Sequence, residues 1–156
     1  MSKRGVRLNR PKWIALMLTS ISIVAPRDAT AGPQCPNLSG NYVIQGEDGQ
    51  VHISIDQHEC DRINIVRKSG YLGTITSETH ILKLDGKDQK DSPWLGSKEQ
   101  YTTSATFVGS ELRVRARTTS GSTFTMSYSL TPARDLLEEA RLADRRGVPL
   151  VAKRQK

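Results

Sequence analysis

Residues 101–130 read YTTSATFVGSELRVRARTTSGSTFTMSYSL, and through most of this run every second position is apolar. Tyr101, Thr103, Ala105 and Phe107 share one parity. After Gly109-Ser110 it is Leu112, Val114 and Ala116, and after Ser120-Gly121 it is Phe124, Met126, Tyr128 and Leu130. A period of two marks strands buried on one face, because successive side chains leave opposite faces of the pleat. The glycines fall where a tight reversal needs a residue that accepts positive φ. Three such strands in succession predict an antiparallel meander.

The pattern continues toward the N-terminus. Val51, Ile53 and Ile55 alternate with His52, Ser54 and Asp56, and Ile63 and Ile65 resume after Cys60. Short β-branched runs over 71–76 and 79–84 follow, the second setting Leu82 and Leu84 on one face. Asp48-Gly49, Ser69-Gly70 and Asp85-Gly86 supply the turns. About eight short strands of this kind describe an all-β, up-and-down barrel or half-barrel. The stretch 87–97, with Pro93-Trp94 inside it, lacks alternation and is expected as a lid or long hairpin loop.

Past Leu130 the period changes. Thr131-Pro132 reads as an N-cap followed by proline at the first helical position. Ala133, Leu136, Leu137, Ala140 and Ala143 fall at helical spacing, with acids early and arginines late, and Gly147 and Pro149 follow. These signals predict a C-terminal α-helix over 133–146. The domain is then 32–147, and 148–156 is a disordered basic tail.

The start of the chain has another character. Lys3, Arg4, Arg7, Arg10 and Lys12 precede the apolar run Trp13–Ala25, followed by Pro26 and Ala29-Thr30-Ala31. The run is shorter than the roughly 20 residues needed to span a bilayer. A positive start, a short apolar stretch and a small-residue triplet form the pattern of a cleavable signal over 1–31, cut after Ala31. It predicts bacterial export to the periplasm or beyond, with no transmembrane segment in the mature protein. The same segment holds most of the charge. The chain has 23 Lys and Arg against 16 Asp and Glu, a net +7, but residues 1–31 alone carry +5. Residues 32–133 total −1 and 134–156 total +3, so the body lacks the basic stripe of a nucleic-acid domain.

Cys35 and Cys60 are the only cysteines. In an oxidising compartment they can close a disulfide; His58-Glu59-Cys60 offers metal-ligand types, but no second close-spaced pair completes a tetrahedron.

The opening Cys35-Pro36-Asn37-Leu38-Ser39-Gly40-Asn41-Tyr42 is similar to the Gly-x-aromatic start of lipocalins and their calycin relatives, with Tyr42 where lipocalins carry Trp. Leu84-Asp85-Gly86-Lys87, the Gly109–Val114 turn and strand, and Phe124–Leu130 resemble small exported bacterial lipocalin-like proteins. The resemblance covers about 35–140 and implies a β-barrel in which the aromatic packs across a closed end.

No arrangement of residues fixes a reaction: H-E-x-x-H, G-x-S-x-G, C-x-x-C and a phosphate-binding glycine loop are all absent. His52 and His80 read as solvent-facing strand histidines. The acids Asp85, Asp88, Asp91, Glu47 and Asp48 read as solvated turns. Arg113, Arg115 and Arg117 project from one face of one strand, about 7 Å apart. That ladder either protects a sheet edge and pairs with neighbouring acids, or contacts a carboxylate-bearing partner or lipopolysaccharide-like phosphates. Tyr42, Tyr101, Phe107, Phe124 and Tyr128 form core or line a ligand cavity, and Trp94 is expected near a barrel mouth.

The leading expectation is an exported, non-catalytic barrel that binds a small apolar or amphiphilic ligand, with no cofactor, metal or nucleic acid. The rival is a periplasmic or secreted interaction or inhibitor module that meets a cell-envelope protein through the arginine ladder. A hydrolase requires His52, His80 and an aspartate to converge.

Overall fold

The computed structural model describes residues 35–46, 49–71, 74–94, 97–142 and 145–156. The expected signal segment lies outside them. Among the described residues eleven antiparallel strands form a meander: β1 Gly40–Gly46, β2 Gly49–His58, β3 Arg62–Tyr71, β4 Thr74–Lys83, β5 Gln89–Asp91, β6 Tyr101–Val108, β7 Glu111–Thr118, β8 Thr123–Leu130, β9 Leu136–Leu142, β10 Arg145–Arg146 and β11 Leu150–Arg154. The order across the sheet is β4-β3-β2-β1-β11-β9-β8-β7-β6-β5, with β10 paired to the side of β9. The two ends of the path, β4 and β5, lie beside each other, so the sheet curls into a nearly closed barrel.

Strand parity decides what is inside. Cross-strand rows such as Ala105–Val114–Met126–Ala140 run through four strands. Ile53, Ile55, Ile63, Ile65, Leu82, Leu112 and Val114 are essentially removed from water. Each such aliphatic side chain contributes about 1.5–3 kcal/mol on burial. At one end Cys35 and Cys60 are joined as expected. Gln57 reinforces the same tie by accepting from the Leu38 N–H at 2.9 Å and donating to the Pro36 carbonyl at 3.0 Å. Only a glycine fits at position 49, where φ is +149° and an added Cβ would lie 2.3 Å from the Gly70 carbonyl oxygen.

Three expectations are corrected. No helix occurs over 133–146 among the described residues; the segment forms β9 and β10. Position 138 points inward but holds a glutamate, and this disguises the alternation of Leu136, Ala140 and Leu142. The Thr131 hydroxyl does accept an N–H four residues on, from Asp135 at 3.2 Å, but the bond closes a turn with Arg134 at φ +63° rather than a helix. The basic tail is likewise no tail, because Leu150–Arg154 is β11, seated between β1 and β9. Without it the inward faces of those strands would lack a neighbour and the barrel could not close. Finally, the expected loop 87–97 contains the three-residue β5, paired to β6.

Candidate functional site

The barrel has one seam among its described strands where backbone pairing is missing, between β4 and β5. Side chains close it. His80 on β4 and Asp91 on β5 meet at 3.1 Å through His80 Nδ1. The same carboxylate accepts from Trp94 Nε1 at 2.6 Å, from the Thr103 hydroxyl at 3.0 Å and from the Ser92 N–H at 2.7 Å. The His80 ring stacks on the Trp94 indole, with centroids 3.5 Å apart. Phe124 then meets Trp94 edge-on at 6.0 Å and Tyr101 at 5.5 Å. Burial by itself would lower the His80 pKa, but hydrogen bonds to Asp91 and Glu78 outweigh it and hold it above its usual value. Burial would raise that of Asp91, and the hydrogen bonds from His80, Trp94 and Ser92 hold it below the usual carboxylate range. The seam is therefore latched by a buried ion pair.

A second polar pair spans the interior. Arg67 of β3 reaches across the interior to Glu138 of β9 and forms a buried salt bridge. On its own sheet Arg67 stands opposite Glu78, and Tyr128 stands opposite Glu138. Burial, reinforced by the Glu138 charge, pushes the Tyr128 pKa far up, so it stays a neutral phenol. Burial opposes the charge on Arg67, yet Glu138 more than restores it. The second oxygen of Glu138, Oε2, is buried without a hydrogen-bond partner among the described residues. The interior thus holds cations on Arg67 and His80 against carboxylates on Glu78, Asp91 and Glu138.

All six aromatic residues expected around a ligand point inward. Trp94, Tyr101 and Phe124 form one cluster at the seam, and Tyr128 lies beside the Arg67–Glu138 pair. Phe107 packs against the core from its margin. Tyr42 stands apart: its hydroxyl donates to the Leu38 carbonyl at 2.8 Å, and Arg154 of β11 covers its ring. Trp94 is 3% exposed, a seam residue rather than one at an open mouth. Arg113, Arg115 and Arg117 all point outward from β7 as expected. His52 faces outward and His80 inward, so the convergence a hydrolase needs does not occur. The expectation that His80 faces solvent is overturned by parity, since it shares its face with Leu82 and Leu84. Arg67 carries the same signal, two residues on from Ile65.

No protein-family model matches the chain, and no curated protein matches it by sequence. Solved structures do match. Secretory abundant heat soluble protein 4 from Ramazzottius varieornatus has a TM-score of 0.60 at 12% identity, covering 76% of this chain and 95% of its own. A variant of REP1-NXSQ, described as a fatty acid transporter, has a TM-score of 0.57 at 12% identity, covering 76% of this chain and 98% of its own. The fold is a lipocalin-like β-barrel. At such identity the likeness carries the architecture alone.

Proposed function

We propose that this chain is an exported, non-catalytic barrel that takes one small amphiphilic molecule into its interior through the β4–β5 seam. The observation that carries the reading is the seam: an aromatic cluster lies directly behind a gap held by side chains instead of a backbone ladder. Opening it costs the His80–Asp91 latch, the His80–Trp94 stack and the Lys83 N–H bond to Gln89, while the backbone ladders on either side stay intact. The disulfide supports export, since such bonds persist in oxidising compartments. The fatty acid transporter among the fold neighbours supports an apolar chain as cargo.

Interior electrostatics select the head group. Arg67 is already matched by Glu138 and flanked by Glu78, so a free carboxylate would meet two like charges for one cation. A hydroxyl, amide or amine would instead donate to Glu138 Oε2. The ligand is therefore an apolar chain with a donor head group.

Trp94 is the only tryptophan outside the expected signal, so its emission reports the site without a label. Oleyl alcohol titrated into residues 32–156 is expected to change Trp94 emission saturably and more strongly than oleate. Unchanged emission with both lipids, together with no bound lipid in native mass spectrometry, would sink the proposal.

A further inference from the structure

The outward face of β7, β8 and β9 carries a second arrangement, independent of the interior. Arg113 and Arg115 of β7 stand opposite Ser127 and Thr125 of β8, and Thr125 in turn stands opposite Arg141 of β9. Guanidinium arms therefore rise on both sides of a row of hydroxyls, from backbones roughly 10 Å apart. Between them lies a groove of about 330 Å³ lined by Glu111, Arg113, Arg115, Thr125, Ser127 and Arg141.

The ion pairs around this groove leave it positive. Arg113 meets Glu111 at 2.7 Å, while Arg141 and Arg146 share Glu139 at 2.9 and 2.6 Å. Arg115 has no ion-pair partner among the described residues. Arg117, which the sequence groups with the other two, turns instead to Asp88 at 3.4 Å and does not line the groove. Four arginines thus face two carboxylates here. Like charges gathered on one face repel one another unless a counter-charge lies between them. Edge protection does not account for them, because β7 lies inside the sheet between β6 and β8. The core is equally silent on them: Leu112, Val114 and Ala116 bury the other face of β7 whatever stands outside.

We propose that this groove binds a tetrahedral phosphate oxyanion, gripped by Arg113, Arg115 and Arg141 above the hydroxyls of Thr125 and Ser127. The guanidinium fork matches two phosphate oxygens at once, and the threonine and serine hydroxyls donate to those that remain. The phosphate can belong to a soluble monoester or to a lipid head group.

The test uses residues 32–156 with the disulfide intact. Inorganic phosphate is titrated at constant ionic strength while backbone amide resonances are followed. Saturable shifts are expected at Arg115, Thr125 and Ser127, weakened about tenfold or more in Arg115→Gln and Arg141→Gln. Arg117→Gln should bind as the parent does. Co-sedimentation with phosphatidylcholine vesicles, with and without phosphatidic acid, separates the sources. Capture by phosphatidic acid that Arg115→Gln loses assigns a lipid head group; phosphate shifts without capture assign a soluble ester. Absence of both, shifts that map away from the groove, or equal weakening by Arg117→Gln would overturn the site.

Discussion

His80 and Asp91 hold together two strands that share no backbone ladder, so their protonation states bear directly on the seam. The His80 pKa is raised above 6.5 in the folded chain. Its contribution is complete below about pH 6.5 and is lost as pH climbs through the raised value. The Asp91 pKa is lowered from 3.8, so its contribution is present above that value and is lost as pH falls through the lowered one. Melting temperature should therefore be highest between these limits and decline as pH rises above about 6.5. His80→Gln should melt lower at pH 6 and show a flatter profile; an unchanged slope would exclude the latch. Arg67 and Glu138 give a second expectation. Arg67→Met or Glu138→Leu alone strands a buried charge and should cost about 3–5 kcal/mol, whereas the double substitution should recover most of that. Urea unfolding of the four proteins measures the coupling, and additive losses would refute the pairing.

Strands β9 and β11 show why element type depends on more than local pattern. Read alone, Leu136, Leu137 and Ala140 with early acids and late arginines fit a helix. In the barrel, Leu136 opposes Leu130 and Ala152, Glu138 opposes Tyr128, and Ala140 opposes Met126. Glu138 is only 3% exposed, a position an acid holds because Arg67 pairs with it from across the interior. The polar residue that broke the alternation is thus a core residue. Asp135 joins the two strands' fates, its carboxylate accepting the Arg154 N–H at 3.1 Å and the Lys153 ammonium at 2.6 Å. Deleting 150–156 should therefore abolish cooperative unfolding by exposing the edges of β1 and β9. A truncated chain that still melts sharply would return the segment to the status of a tail. By contrast β6, β7 and β8 were legible in full, since each has an inward face that is apolar or hydroxyl-bearing throughout.

At the level of the molecule, closure is long-range. The first strand finds its second neighbour in β11, so the barrel is complete only when both ends of residues 40–154 have come together. The Cys35–Cys60 bond constrains the N-terminal part of that search by anchoring the segment before β1 to the β2–β3 turn. By the loop-entropy relation its removal in the Cys35→Ser, Cys60→Ser double variant should cost about 3.5 kcal/mol. Chemical denaturation with matched reduced and oxidised parent samples checks this, and a loss below about 1 kcal/mol would mean the unfolded chain is already confined there.

Sequence alone determined the predominantly β character, the strands β1, β2, β6, β7 and β8, the disulfide and the direction of the arginine ladder, whereas β5 fell in an expected loop and the expected Ser69-Gly70 turn lies inside β3. Each of the former follows from parity along the chain or from there being two cysteines, and parity is a local property of extended backbone. The structure decided that the C-terminal segment is strand, that His80 latches the seam to Asp91, and that Arg67 is neutralised from the far side by Glu138. It also replaced Arg117 by Arg141 at the outer groove. These depend on partners many residues distant, and a buried or clustered charge has no meaning in sequence until the opposing group is placed.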